Sequence, residues 1–220
     1  GLQYLRLRHR LDMVLVDRTS PWGNGFLLPR GTLREPPRHL KRASYVFLTK
    51  CGEADNSEFI AELRKHNRVA EIVECRHRPI HLENIHTREK LPLERLYGAH
   101  VGAISGIAVP ESFEDGLRKL GAKVDLTRRF ADHHRFSAKD IQAFVDRCER
   151  RDVRMIVTTE KDFVRFPQMA PPEDFPICFL RVEIEIVRGR EAFDRMIRVL
   201  CDPREMPRPV YGAELISASV

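Results

Sequence analysis

From residue 99 to residue 200 the sequence alternates between two periodicities. Strand-length apolar runs, Ala99–Ala108, Ala122–Leu126, Arg154–Thr158 and Phe175–Val187, are separated by segments with the spacing of amphipathic helices. Pro110 opens one helix over Glu111–Leu120, and Gly121 closes it where a left-handed residue is wanted. Ser137 caps a second helix reaching Arg150, with Asp140 placed to complete a capping box. A short helix over Glu160–Phe166 stops at Pro167, and a fourth runs over Arg190–Leu200. Such alternation predicts an α/β fold, a mostly parallel sheet flanked by helices.

The preceding half carries the same vocabulary more sparsely. Leu11–Val16 and Ser44–Thr49 read as strands, Glu58–Lys65 as a helix, and Val69–Glu74 and Arg78–Leu82 as two further strands. Thr87–Tyr97 is polar and reads as a connection between lobes. The expected division is therefore residues 1–86, ending in a small strand-rich connection, and residues 87–220, an α/β lobe with a loose Pro-rich tail from Pro203.

Composition excludes several classes. With 42% hydrophobic and 32% charged residues, and no apolar run near the ~18 needed to span a bilayer, the chain is neither transmembrane, collagen-like nor disordered. Cys51, Cys75, Cys148, Cys178 and Cys201 are scattered with no CxxC pair, so reduced cysteines are expected, with Cys178 in the core. The chain opens on Gly1 without a signal-peptide pattern and reads as the continuation of something longer. The formal charge is +6, and 30 of the 38 basic residues are Arg. Guanidinium forks grip phosphate or carboxylate through paired hydrogen bonds, so the surface suits phosphorylated partners, an anionic membrane or nucleic acid.

Four segments carry candidate chemistry. The loop Trp22–Pro36 follows a strand ending in Asp17 and combines Gly23, Asn24, Gly25 and Gly31 with Arg30, Arg34 and Glu35. Loops after strand carboxyl ends are where α/β proteins bind ligands. Phe130-Ala131-Asp132-His133-His134-Arg135-Phe136 leads into the Ser137-capped helix; its Asp and His residues are a candidate general-base group or metal site, or simply a polar turn. Thr158-Thr159-Glu160-Lys161-Asp162 reads as acids at a helix start, or as a scaffold for the neighbouring loop. Ser105–Pro110 offers Gly106 near a helix start as a candidate anion site, but no GxxxxGK[ST] phosphate loop or dinucleotide fingerprint occurs.

Taken in order, Gly1-Leu2-Gln3, Asp12–Asp17, Gly23–Pro36, Gly102–Pro110, Asp132–Phe136 and Thr159–Asp162 resemble the tetraacyldisaccharide 4'-kinase family, over nearly the whole stretch from Gly1 to about Leu200. The family's usual Pro-Ala-Gly-Pro-Leu-Arg-Glu-Pro is here Pro29-Arg30-Gly31-Thr32-Leu33-Arg34-Glu35-Pro36, which keeps Gly31, Arg34 and Glu35 in register.

The resemblance implies a P-loop-kinase-like fold. The activity implied is transfer of the ATP γ-phosphate to the 4'-hydroxyl of a lipid A disaccharide 1-phosphate precursor. It carries the catalytic His to His133, with His134 as the alternative, to accept or relay the hydroxyl proton. Arg34 would supply a cationic fork. Asn24, Gly25, Gly31, Glu35 and Asp132 would serve substrate binding, and Gly1 and Gln3 would lie beside the nucleotide. The family's P-loop and two metal-binding Asp residues would precede Gly1. ATP and Mg2+ are thus implied, with the main ligands expected in an amino-terminal portion, and this chain by itself is expected to be inactive. The implied place is cytoplasmic and peripheral to the inner membrane, with the lipid precursor as partner and no nucleic acid. The other class open to the sequence is a non-catalytic basic α/β module binding nucleic acid or an anionic surface.

Overall fold

A computed structural model describes residues 2, 10–52, 54–167 and 175–202. In chain order the elements are β1 (Met13–Asp17), β2 (Tyr45–Thr49), α1 (Ser57–His66), β3 (Glu71–Asn84), β4 (Lys90–Leu91), β5 (His100–Ser105), α2 (Pro110–Lys119), β6 (Lys123–Arg129), α3 (Ala138–Glu149), β7 (Met155–Thr159), α4 (Glu160–Phe163), β8 (Ile177–Arg188) and α5 (Arg190–Cys201). This is the mostly parallel α/β architecture expected from the alternating periodicities. The chain groups into two compact units: residues 1–77 with 184–220, and residues 78–183.

In the first unit β1, β2 and β3 pair in parallel. Period-two alternation sends Val46 and Leu48 to one face, against Phe59 and Leu63 of α1. Tyr45 and Phe47 go to the other, against Ala192, Phe193 and Met196 of α5. Both faces are covered by helices, as a parallel sheet requires.

In the second unit β8, β7, β5 and β6 are hydrogen-bonded in that order, all parallel. One face of this sheet packs against Ile141, Phe144 and Val145 of α3, and the other against Leu117 of α2. Gly121, at φ +88°, ends α2 in the left-handed conformation that the sequence anticipated. Ser137 and Asp140 form a reciprocal capping box: Ser137 Oγ accepts from the Asp140 amide while Asp140 Oδ2 accepts from the Ser137 amide at 2.9 Å.

Two readings change. Val69–Glu74 and Arg78–Leu82 are not two strands but one continuous strand, β3. Its middle residues, His77 and Arg78, are exposed, so no hydrophobic alternation marks the continuity. Thr87–Tyr97 is more than a polar connection: β4 pairs antiparallel with β3, and the 3-10 turn Leu93–Leu96 buries Leu96 in the second unit's core. The tail from Pro203 lies outside the described residues.

Candidate functional site

The loop after β1 is a self-closed structure in the first unit. At the strand's carboxyl end Asp17 accepts from Lys50 Nζ at 2.6 Å and from the Thr19 amide and hydroxyl. Burial alone would raise the Asp17 pKa, but these bonds hold the carboxyl below its ordinary range. Further along, the Gly31 amide donates to Leu27 O at 2.9 Å, and Leu28 and Leu33 bond across the turn. Asn24 ties the base of the turn: its Oδ1 accepts from the Phe26 amide and its Nδ2 donates to Arg30 O, both at 3.3 Å. A Cβ on Gly31 would lie 2.1 Å from Phe26 O and 2.2 Å from Asn24 Oδ1, so only glycine fits there. Gly25 holds φ +79°.

The charged members of this loop divide into two kinds. The Arg30 guanidinium lies 3.8 Å over the Phe26 ring. Glu35 Oε2 accepts from His39 Nδ1 at 2.8 Å and from Arg42. Burial pushes the Glu35 carboxyl up, but the His39 bond and the Arg42 charge more than offset it and leave it low. Glu35 is thus committed within the loop. Arg34 is exposed, and among the described residues its guanidinium has no hydrogen-bond or ion-pair partner. Its fork is free for an incoming phosphate or carboxylate.

The second unit brings three loops together at the carboxyl ends of β5, β6 and β7. Asp162 stands at the centre and is 0% exposed. Its Oδ2 accepts from the Gly106 amide at 3.1 Å and from Thr159 Oγ1 at 2.8 Å. Its Oδ1 faces Arg165 Nη1 at 3.4 Å. The anion held by Gly106, a candidate ligand amide in the sequence, is therefore the protein's own Asp162. Gly106 also lets the Asp132–His134 turn lie against it: a Cβ there would meet Ala131 O at 3.3 Å and His134 Cβ at 3.4 Å.

The two neighbouring histidines have different surroundings. His134 stacks on Phe130 with centroids 4.3 Å apart, meets Phe136 edge-on, and has Nε2 3.4 Å from Asp140 Oδ2. It is used in packing the turn onto α3. His133 holds φ +64°, its amide reaches Gly106 O and Asp132 Oδ1, and its side chain is 73% exposed. His133 Nδ1 lies 3.1 Å from Arg165 Nη2, and Nε2 lies 3.7 Å from Asp132 Oδ2.

Sequence reading placed Asp132, His133 and His134 on one turn and offered the Thr158–Asp162 segment as a scaffold. It did not single out Arg165. Arg at that spacing, three residues after an Asp at a helix start, is a common surface pair, and only coordinates show it reaching back to His133. Gly1 and Gln3 lie outside the described residues. Among the described residues no group of three His, Cys, Asp or Glu side chains could hold a metal ion. Among the described residues no helix is long and apolar enough to cross a membrane.

Comparisons with known proteins agree with one another. The family model described as Tetraacyldisaccharide-1-P 4'-kinase matches residues 1–201. A protein of Anaeromyxobacter dehalogenans (strain 2CP-C) named tetraacyldisaccharide 4'-kinase is 39% identical over 197 residues, covering 88% of this chain and 52% of that protein. A protein of the same name from Elusimicrobium minutum is 40% identical over 171 residues, covering 76% and 45%. The crystal structure of LpxK from Aquifex aeolicus in complex with ATP is 21% identical with a TM-score of 0.58, covering 90% of this chain and 55% of that one, which shows a shared fold. The chain spans about half the length of the curated relatives it matches.

Proposed function

We propose, from the premise that this chain belongs to the tetraacyldisaccharide 4'-kinase family, that it forms part of a lipid kinase. The reaction is transfer of the ATP γ-phosphate to the 4'-hydroxyl of a lipid A disaccharide 1-phosphate precursor. The observation that carries this reading is the family match across residues 1–201.

Phosphoryl transfer asks for positioning and charge neutralisation more than for covalent help from the protein. Of the two candidate histidines, His133 takes the proton-handling role, because its ring is exposed while His134 is used in packing. Asp132 stands beside the His133 ring and serves the substrate with it. Arg34 brings a free guanidinium to a phosphate or sugar, and Asn24, Gly25 and Gly31 give its loop one shape. Glu35 contributes to substrate binding through the loop, by holding His39 and Arg42. Gly1 and Gln3 keep their proposed place beside the nucleotide, with Mg2+ and the rest of the ATP site supplied by an amino-terminal portion. The 30 Arg residues favour a peripheral place on the anionic cytoplasmic face of the inner membrane, each basic group near such a surface adding about 1 kcal/mol. A non-catalytic nucleic-acid module has only the net charge in its favour.

The direct test supplies γ-labelled ATP, Mg2+ and the tetraacyldisaccharide 1-phosphate to the full gene product that carries this chain. The reading expects label in a 4'-phosphorylated lipid. Absence of that product, with the protein folded and ATP intact, overturns it.

A further inference from the structure

We infer that Arg165, anchored by buried Asp162, is a positioning residue that fixes the ring orientation and tautomer of His133; this rests on the proposed role of His133. A guanidinium has only donors, so the nitrogen it meets must offer a lone pair. Arg165 Nη2 lies 3.1 Å from His133 Nδ1, which makes Nδ1 the acceptor and places the proton of the neutral ring on Nε2. The Nδ1–H tautomer would set two donors against each other and is disfavoured.

The support behind Arg165 is what makes the contact more than a surface encounter. The side chain is 20% exposed and uses its other nitrogen, Nη1, on Gly106 O and Asp162 Oδ1, both at 3.4 Å. Gly106 O also accepts the His133 amide at 3.2 Å. The guanidinium therefore links the His133 ring to the Gly106 carbonyl that holds the His133 amide, from a carboxylate that is 0% exposed. It holds Nδ1 inward and leaves Nε2, beside Asp132, as the nitrogen that meets a substrate hydroxyl. The neutral ring then presents an N–H outward. Nε2–H donates to the hydroxyl oxygen, and His133 takes the hydroxyl proton at Nε2 only after Arg165 has released Nδ1 and the ring proton has moved there.

Lysine could donate to Nδ1 but cannot hold Gly106 O and Asp162 Oδ1 with a second, fixed nitrogen. Arg165→Lys should thus keep part of the tautomer bias and Arg165→Gln less of it. The test labels the histidines of this 220-residue chain with 15N and reads ring nitrogens by long-range proton–nitrogen correlation. The His133 signal is assigned by its loss in His133→Gln. The expected wild-type pattern of the neutral ring is an acceptor-type Nδ1 and a protonated Nε2. In Arg165→Gln the Nδ1–H form should become detectable with the amide spectrum otherwise conserved, and Arg165→Lys should fall between the two. A His133 pattern unchanged in Arg165→Gln overturns the inference.

Turnover of the full gene product separates the inference from the reading beneath it. Arg165→Gln should change kcat with both KM values kept, because it alters which ring nitrogen faces the hydroxyl and not how either substrate binds. A tautomer shift with full activity in His133→Gln leaves the positioning intact and removes the catalytic role. Lost activity in His133→Gln without any tautomer change in Arg165→Gln does the reverse.

Discussion

Asp162→Ala removes the carboxylate on which the second unit's three loops converge, and its cost can be worked out from the contacts. The Gly106 amide is buried and loses its acceptor, which by itself costs about 1–3 kcal/mol. The Arg165 guanidinium loses a charge-assisted partner at 3.4 Å, worth about 1.5–3 kcal/mol in a buried setting. Arg165 is 20% exposed, so water replaces part of that bond and the loss falls below this range. Thr159 Oγ1 can turn to another acceptor and adds little. The sum is about 3 kcal/mol, near the lower end for breaking a buried pair. For a chain of this size that corresponds to a fall in Tm of about 6–12 °C. Asp162→Asn keeps one acceptor for Gly106 but turns an amide toward a donor, and should cost about 2 kcal/mol. Thermal unfolding followed by circular dichroism reads the total, and hydrogen exchange at the Gly106 amide reads the local loss. A drop in Tm below about 2 °C, with the Gly106 amide still protected, would show that Asp162 does not hold these loops.

Other outcomes follow from single contacts. Gly31→Ala should force the Phe26–Leu33 turn open and destabilise the chain by about 1–3 kcal/mol, seen as faster exchange of the Leu28 and Leu33 amides. Ser137→Ala should cost about 1 kcal/mol at neutral pH through loss of the α3 cap. The Ser137 amide and hydroxyl hold the Asp140 carboxyl below its ordinary 3.8, so that stabilisation is present above this value and is lost as pH falls through the lower folded value. The gap between wild type and Ser137→Ala in urea titrations should therefore narrow below about pH 4. Burial pushes the Cys148 and Cys178 thiols up to about 11, and Cys201 is exposed, so a thiol reagent at pH 8 should label Cys201 in the folded chain and the other four only on unfolding.

How far the sequence announced this fold depended on how each element is buried. β5, β6 and β7, with α2 and α3, were legible because each helix buries one stripe and carries its own start or stop signal, Pro110 and Gly121 for α2 and Ser137 for α3. The continuity of β3 was not, because Cys75, Arg76 and His77 separate the two strands that were legible, and exposed His77 and Arg78 break the apolar alternation. The spacing of Leu91, Leu93 and Leu96 changes from two to three within one short segment, so no single period marked their burial in the second unit's core. At the candidate site the Asp132–His134 turn was visible as a motif. The difference between its histidines was not, since it comes from Phe130 stacking on one and Arg165 reaching the other across 32 positions.

The account rests most heavily on His133 as the residue that handles the proton of the attacking hydroxyl. The measurement that tests it most directly is the rate of label transfer from γ-labelled ATP to the tetraacyldisaccharide 1-phosphate by the full gene product, comparing wild type with His133→Ala and His134→Ala. The expected result is a loss of about 10²–10⁴-fold in kcat for His133→Ala with ATP binding kept, and a smaller loss for His134→Ala that follows its stability. Wild-type turnover in His133→Ala would contradict the account.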